Sequence, residues 1–417
     1  MKILTGLGLL LFSACQPPRE AQSTRAEEPI VTLWHALRGE EYARLQSQLD
    51  AYTEKTGQEV RALQLPHNAF ANKIQVSIPR GNGPDLFIHA HDRIGDWAEA
   101  GLIEPLSYWV TTGDLDDFLV PAVDAFTYRH QLYGLPISCK ALALFYRTDL
   151  VSQAPQTTEE LYQMARSAIA QSGAGLTGQV WGLAYPELDS LYFHAPWLHA
   201  YGGPILDEGG AHIDSEGFRE SALIVKKLRD EGLIPPEVDG ALASELFRSG
   251  RLAFLINGPW FVAELGDLKT GARAEGGSAL WSVAPLPRSS DTGRSLQPYM
   301  SVEGVMISSR ARAPKAAWRL ARYLTSDEIA AQRLAQGELV ARSTPYQARG
   351  KRPAWLTAFR AQLEHSLPLS NEPLMKSLWK PAKRALEEII LRGQDPQRSS
   401  REAQRSFDRA RQIGEER

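Results

Sequence analysis

The stretch Gly81-Asn-Gly-Pro-Asp-Leu-Phe-Ile-His-Ala-His-Asp-Arg-Ile-Gly-Asp-Trp-Ala-Glu-Ala-Gly-Leu-Ile103 holds a turn, a strand and a helix in 23 residues. Arg80-Gly81-Asn82-Gly83-Pro84 is a cluster of turn formers that ends a helix read over Phe70–Ile78. Asp85–His89 follows as a short β-rich run, and Arg93–Ala100 has helical spacing. The same alternation lies upstream. Ile30–Trp34 reads as a strand, and Tyr42, Leu45, Leu49 and Tyr52 then mark one face of an amphipathic helix. Gly57 stops that helix, and Val60–Leu65 forms the next strand. Strands alternating with helices predict parallel sheet built from βαβ units, an α/β fold.

Downstream the pattern resumes. Leu142–Tyr146 reads as a strand, and a helix capped by Thr157 or Thr158 runs to about Gln171. A second helix over Phe218–Glu231 meets Gly232 and the Pro235-Pro236 stop. Leu252–Ile256 is a buried-type strand. Short strands at Ser282–Ala284 and Val305–Ser308 flank a loop rich in Ser, Arg and Pro. The last hundred residues are nearly all helical in pattern. Beyond Gly393 the chain is charged and poor in large apolar residues, which predicts a surface tail.

At 417 residues the chain has room for two or three domains. With 46 basic and 49 acidic residues, net −3, it lacks the basic footprint of a nucleic-acid binder. Two cysteines cannot form a disulfide framework. At the N-terminus, Lys2 precedes one apolar run, Ile3–Phe12. Ten residues fall well short of the roughly 20 needed to span a bilayer, so the run reads as a secretory signal. Ser13-Ala14-Cys15 is similar to a bacterial lipobox, in which the cysteine is lipidated, although Phe12 stands where leucine is usual. The alternative is a plain signal peptide cleaved near Ala14. Residues 16–29 are polar with three prolines and read as a flexible tether. These features predict a lipid-anchored, extracytoplasmic globule.

Enzyme chemistry finds little support. His89 and His91 share a strand face and could ligate one metal, but a site needs at least three protein ligands and no third is identifiable. The alternative is that His91 packs or hydrogen-bonds. Neither a Gly-x-Ser-x-Gly elbow nor a phosphate-binding Gly-x-x-x-x-Gly-Lys-Ser/Thr loop is present. Cys139 beside Ala141–Phe145 reads as a packing residue. No cofactor is called for. Aromatic residues stand out instead. Trp260 follows Asn257-Gly258-Pro259, Trp379 precedes Lys380-Pro381, and Tyr192, Phe193, Trp197 and Tyr201 surround Pro196 and Gly202-Gly203. Indoles on loops and element ends can stack on the hydroxyl-poor face of a sugar, or can simply fill a core.

The quoted stretch resembles a segment characteristic of the maltose/maltodextrin-binding proteins of bacterial ABC importers. So do Phe254-Leu-Ile-Asn-Gly-Pro-Trp260, Tyr133-Gly-Leu-Pro-Ile137, Ala141-Leu-Ala-Leu-Phe-Tyr-Arg-Thr-Asp-Leu150 and Tyr201-Gly-Gly203. The matches keep their order over residues 30 to about 400. The resemblance implies a two-lobed periplasmic-binding-protein fold (type II-like), with interleaved chain crossings at a hinge and sugar held between the lobes. One lobe is expected at 30–138 plus 286–324 and the other at 139–285 plus 325–400, with a charged tail at 401–417.

The resemblance also implies roles. Asp92 and Arg93 match a pair that hydrogen-bonds sugar hydroxyls, a carboxylate accepting and a guanidinium donating. Trp260, Tyr192 and Trp379 match ring-stacking aromatics, and Ala90 lines the cleft. Four positions depart from the family. His89 replaces a tryptophan, which removes one wall, and Lys140 replaces a glutamate. Lys380 stands at a tyrosine and Lys383 at an arginine. Arg38 or Glu40 would replace an Asp-Lys pair. If Lys140 and Lys383 face the cleft they favour an anionic ligand. Otherwise Lys140 pairs with a carboxylate such as Asp92 or Glu187, and the ligand is a neutral glucoside. The expected protein is a non-enzymatic, monomeric oligosaccharide carrier that serves ABC permease subunits with a separate ATPase. Alternatives are a periplasmic sugar sensor and, further off, a metal-dependent hydrolase at His89 and His91.

Overall fold

The computed structural model describes residues 29–415 except 112, 173–178, 187–189, 208–209, 266–279 and 349–351. Cys15 and the apolar N-terminal run lie outside the described residues. Among those described, no helix is long and apolar enough to cross a membrane.

Two sheets organise the chain. The first is built from β1 (Val31–His35), β2 (Val60–Gln64), β3 (Leu86–Ala90) and β4 (Leu135–Ala141). The second takes β5 (Ala143–Arg147), β6 (Trp181–Ala184), β7 (Leu252–Asn257) and β8 (Trp281–Ala284). The chain then returns to the first sheet as β9 (Tyr299–Ile307) and β10 (Leu367–Pro368). β1 runs parallel to β2 and β3, as βαβ units require, through α1 (Gly39–Thr56) and α2 (His67–Ser77). β9 is antiparallel to both β3 and β4 and lies between them. In the second sheet β5 is antiparallel to β7 and β8, and β6 is parallel to β7.

Only Leu142 separates β4 from β5, so the first crossing between sheets is a single residue. The 285–298 loop carries the chain back from β8 to β9. A third passage differs from the sequence reading. Residues 339–344 fall in the stretch assigned to the second lobe, yet they hydrogen-bond to the first. Leu119 N–H donates to Ala341 O, Ala341 N–H to Ile137 O and Ser343 N–H to Asp117 O. β10 likewise pairs in parallel with Tyr299 and Met300 of β9. The boundary that the resemblance implied at 324/325 is therefore too early, because these segments are fixed by hydrogen bonds to residues distant in the chain.

The resulting α/β architecture has two lobes. Helix α3 (Ile94–Glu99) carries Trp97, which is wholly buried against Phe87 and His89. In the second lobe, α4 (Leu191–Tyr201) and α5 (Glu216–Asp230) meet at Gly202 and Gly217, where a Cβ on Gly217 would lie 2.1 Å from the Gly202 Cα. Helix α6 (Ala354–Leu363) packs on β8, and α7 (Pro373–Ile390) packs on α8 (Pro396–Glu415). The charged tail is thus a helix on the surface, pinned by buried Ala403 and Phe407.

Candidate functional site

Two adjoining cavities open between the lobes. One, of about 540 Å³, is lined by Ala36–Arg38, Glu41, His67, Ile88–Ala90, Lys140, Trp260 and Glu303. The other, of about 560 Å³, shares Arg38, Glu41, Lys140 and Trp260 and extends to Gln336–Leu339 and Trp355. Strand ends and helix starts make this cleft. Arg38 caps α1, and His89 and Ala90 close β3. Trp260 follows β7 directly after the Gly258-Pro259 turn. The residue keeps 39% of its surface exposed, and its ring meets Phe193 edge-on. An indole in a well-packed core would not be so open.

Lys140 occupies the middle of the cleft and is not a free cation. Its ammonium donates to Glu303 at 3.1 Å and to Glu41 at 3.2 Å. The β4–β9 register sets the first contact: Lys140 faces Ser301, and Glu303 lies on the diagonal across from Ser138. Burial opposes a charge on Lys140, but Glu303 and Glu41 outweigh it and hold the ammonium above its ordinary pKa. Burial likewise pushes Glu303 up, and Lys140 overrides this to bring it below the usual range. Of the carboxylates suggested from sequence, Asp92 is not one of these partners. Asp92 pairs with Arg93 at 3.6 Å, and Glu187 lies outside the described residues. With two carboxylates on one ammonium, the motive for an anionic ligand disappears. Lys383 adds none, since it pairs with Glu387 on its own helix at 3.7 Å.

The wall expected to be lost at His89 is partly rebuilt. His67, at the start of α2, stacks on His89 with ring centroids 5.6 Å apart and planes 21° from parallel. Phe70 and Trp97 back the pair. Burial holds His89 below its ordinary pKa and so keeps the imidazole neutral. His91 turns the other way and is fully buried. Its Nε2–H donates to Leu369 O at 2.7 Å, and its Nδ1 accepts from Val302 N–H at 3.1 Å. Both nitrogens of His91 are thus engaged in the fold. Among the described residues no group of three or more His, Cys, Asp or Glu is placed to hold a metal ion. Cys139 is buried and its thiol is pushed up to about 12, so it offers no thiolate.

Of the residues nominated from sequence, His89, Ala90, Lys140 and Trp260 come together in the cleft. Tyr192 lines neither cavity; its hydroxyl donates to the Lys140 backbone O at 3.4 Å. Asp92 and Arg93 follow Ala90 but do not line either cavity. Arg93 instead bridges Asp92 and Asp96. Trp379 packs half-buried on the core from α7 and is likewise absent from both linings. Of the two replacements weighed for the Asp-Lys pair, Arg38 lines both cavities and Glu40 one. Glu41, His67, Glu303, Gln336, Glu338 and Trp355 were not legible beforehand. Only Glu41, in the first turn of α1, carried a positional signal.

A cleft between two α/β lobes, walled by aromatic rings and set with hydrogen-bonding groups, is built to hold a polar solute with flat apolar faces. The chain belongs to the family of bacterial extracellular solute-binding proteins, whose family pattern matches residues 36–331. It is 27% identical over 383 residues to the maltotriose-binding protein of Pyrococcus abyssi, covering 89% of this chain and 79% of that one. It is 23% identical to the maltooligosaccharide ABC transporter solute-binding lipoprotein of Streptococcus pneumoniae, over 95% and 93% of the two chains. Its fold superposes with a TM-score of 0.80 on a cyclo/maltodextrin-binding protein complexed with maltotetraose, at 25% identity and with 93% and 98% coverage. Family membership makes it an extracytoplasmic binding protein and supports the two-lobed architecture.

Proposed function

We propose that this protein captures a neutral maltooligosaccharide between its lobes and delivers it to the membrane permease of an ABC importer. The observation that carries the reading is the exposed indole of Trp260 on the wall common to both cavities, flanked by donors and acceptors. Its ring would stack on a glucose face. Lys140, Glu41 and Glu303 would exchange hydrogen bonds with hydroxyls, because a paired ammonium still has a donor to offer. His89 with His67, and Ala90, would bound the sugar on the other side. Asp92, Arg93, Tyr192 and Trp379 would join when the lobes close, and closure would follow from the extra contacts that the closed state makes with sugar. Lys383 is left to its helix. Likeness to maltotriose- and maltooligosaccharide-binding proteins supports the ligand class and the importer. The lipoprotein among these relatives supports a lipid anchor at Cys15.

Calorimetric titration with maltose, maltotriose and maltotetraose tests the reading. Binding is expected for wild type, with at least a tenfold loss in Trp260→Ala and an apo melting temperature within about 2 °C of wild type. Truncating a core tryptophan would cost about 3–5 kcal/mol instead. Unchanged affinity in Trp260→Ala, or no sugar binding by wild type, would reject it.

A further inference from the structure

The hairpin of α7 and α8 carries ten basic and six acidic residues over Pro373–Glu415, in a chain whose net charge is −3. Three of these cations are matched one helical turn away. Lys383 pairs with Glu387 at 3.7 Å, Arg384 with Glu388 at 2.9 Å and Arg398 with Glu402 at 2.9 Å. Along α8 the matching then stops. Arg401, Arg405 and Arg409 follow one another at four-residue steps, all exposed, and among the described residues none of them has an ion-pair partner. Like charges at that spacing oppose the helix, so the stripe calls for a counterion from outside the chain. It borders a groove of about 320 Å³ between the two helices. Arg405, Ser406 and Arg409 line the groove from α8, and Arg384 lines it from α7. Glu388 and Glu402 line it too, but Arg384 and Arg398 already hold them. Two guanidiniums with no acid of their own, beside a hydroxyl and a third guanidinium, suit a phosphate group.

We infer that this groove, with the arginine stripe beside it, is a docking face for the phosphate headgroups of an anionic membrane. The inference rests on the reading of the chain as anchored at Cys15. From such an anchor the polar tether of residues 16–29 has a root-mean-square reach of about 20 Å, which keeps the globule close to the lipid surface. The basic surplus of the hairpin leaves the rest of the chain acidic. A negative leaflet therefore attracts this end, repels the remainder and so orients the globule. Each arginine near such a surface strengthens binding about fivefold. Ala403 and Phe407, the apolar side of α8, are buried in the fold, so the contact is made through charge alone and without insertion.

The test uses the chain from Gln16 onward, which holds every described residue and lacks Cys15, so failure of the anchor and failure of the docking face are read separately. It is sedimented with vesicles of phosphatidylcholine alone or with about 30% phosphatidylglycerol, at about 50 mM and 300 mM salt. Binding is expected to the mixed vesicles only, weakened at least tenfold at the higher salt. Arg405→Gln with Arg409→Gln is expected to weaken it at least tenfold, and Arg405→Lys with Arg409→Lys to keep most of it. Lys73→Gln with Lys315→Gln removes the same charge from exposed lysines of the first lobe and is expected to change binding less than twofold. Equal binding to both vesicle types, full binding by the double arginine-to-glutamine variant, or an equal loss in the lysine control overturns the docking face. Displacement by inorganic phosphate beyond that of chloride at equal ionic strength would assign the groove to free phosphate and overturn the membrane as its occupant. Maltotriose titration of the same variants is expected to match wild type, so a chain that binds lipid but no sugar removes the sugar reading and leaves the docking face.

Discussion

Replacing Lys140 with methionine isolates the ion network at the centre of the cleft. The longer part of the lysine stem is preserved in volume, so packing changes little while the charge is removed. What remains is Glu303, three-quarters buried, with its carboxylate unpaired. At an effective dielectric near 20, the 3.1 Å contact is worth about 5 kcal/mol in Coulomb energy before desolvation is subtracted. Glu41 is 40% exposed and adds little after solvent screening. Breaking a buried pair on one side costs about 3–5 kcal/mol, and the residual exposure of Glu303 places this case at the lower end, about 3 kcal/mol.

Urea unfolding is the suitable assay, since guanidinium would screen the charges. A slope of about 3 kcal/mol per molar converts the loss to a midpoint shift near 1 M. The effect has a definite pH dependence. In wild type the Glu303 pKa is depressed, so its contribution is present above its unfolded pKa and is lost as pH falls through the lower folded value. In Lys140→Met burial, which raises the Glu303 pKa, is opposed only by the weaker influences of His89 and Arg333, so falling pH relieves the variant. The midpoint difference is therefore full above about pH 6 and shrinks toward pH 4. Adding Glu303→Gln to Lys140→Met should recover much of the loss, because a neutral amide is far cheaper to bury. A difference that is equal at pH 7 and pH 4.5, or below about 0.2 M at neutral pH, would refute this account.

Two further outcomes are expected. Gly217→Ala should destabilise the second lobe by about 1–3 kcal/mol despite the better helix propensity of alanine, because the new Cβ meets the Gly202 backbone and not a flexible side chain; an unchanged melting temperature would show that α4 and α5 can separate freely. Cys15→Ser should abolish labelling by a palmitate analogue and release the protein from the membrane fraction, whereas equal labelling of wild type and variant would show that Cys15 is not the anchor.

The strand–helix alternation was legible because it rests on local rules: turn formers at 80–84, one-faced apolar spacing in α1, and the glycine stop at Gly57. The exposed setting of Trp260 was legible for the same reason, since Gly258-Pro259 ends β7 just before it. The likeness to a two-lobed family rested on longer motifs in conserved order along the chain. Segments near the hinge were misplaced. Residues 339–344 and β10 join the first sheet through hydrogen bonds to partners that no periodicity names.

The electrostatics of the cleft were out of reach for a similar reason. Lys140 finds Glu41 99 residues upstream and Glu303 163 residues downstream. The β4–β9 register, which decides the Glu303 contact, exists only once both strands flank each other in the folded sheet. Set against the family, Lys140 was a charge reversal that left two readings open, an anionic ligand or a lysine paired with a carboxylate; in the fold it is paired with two. Trp355 shows the same limit. In sequence it is one of 10 tryptophans, placed on an ordinary helical turn. It becomes a candidate wall only because α6 packs on the second sheet while residues 336–339 stay with the first, so that a cavity opens between them. Proximity across a lobe boundary is a property of packing, and a linear pattern does not encode it.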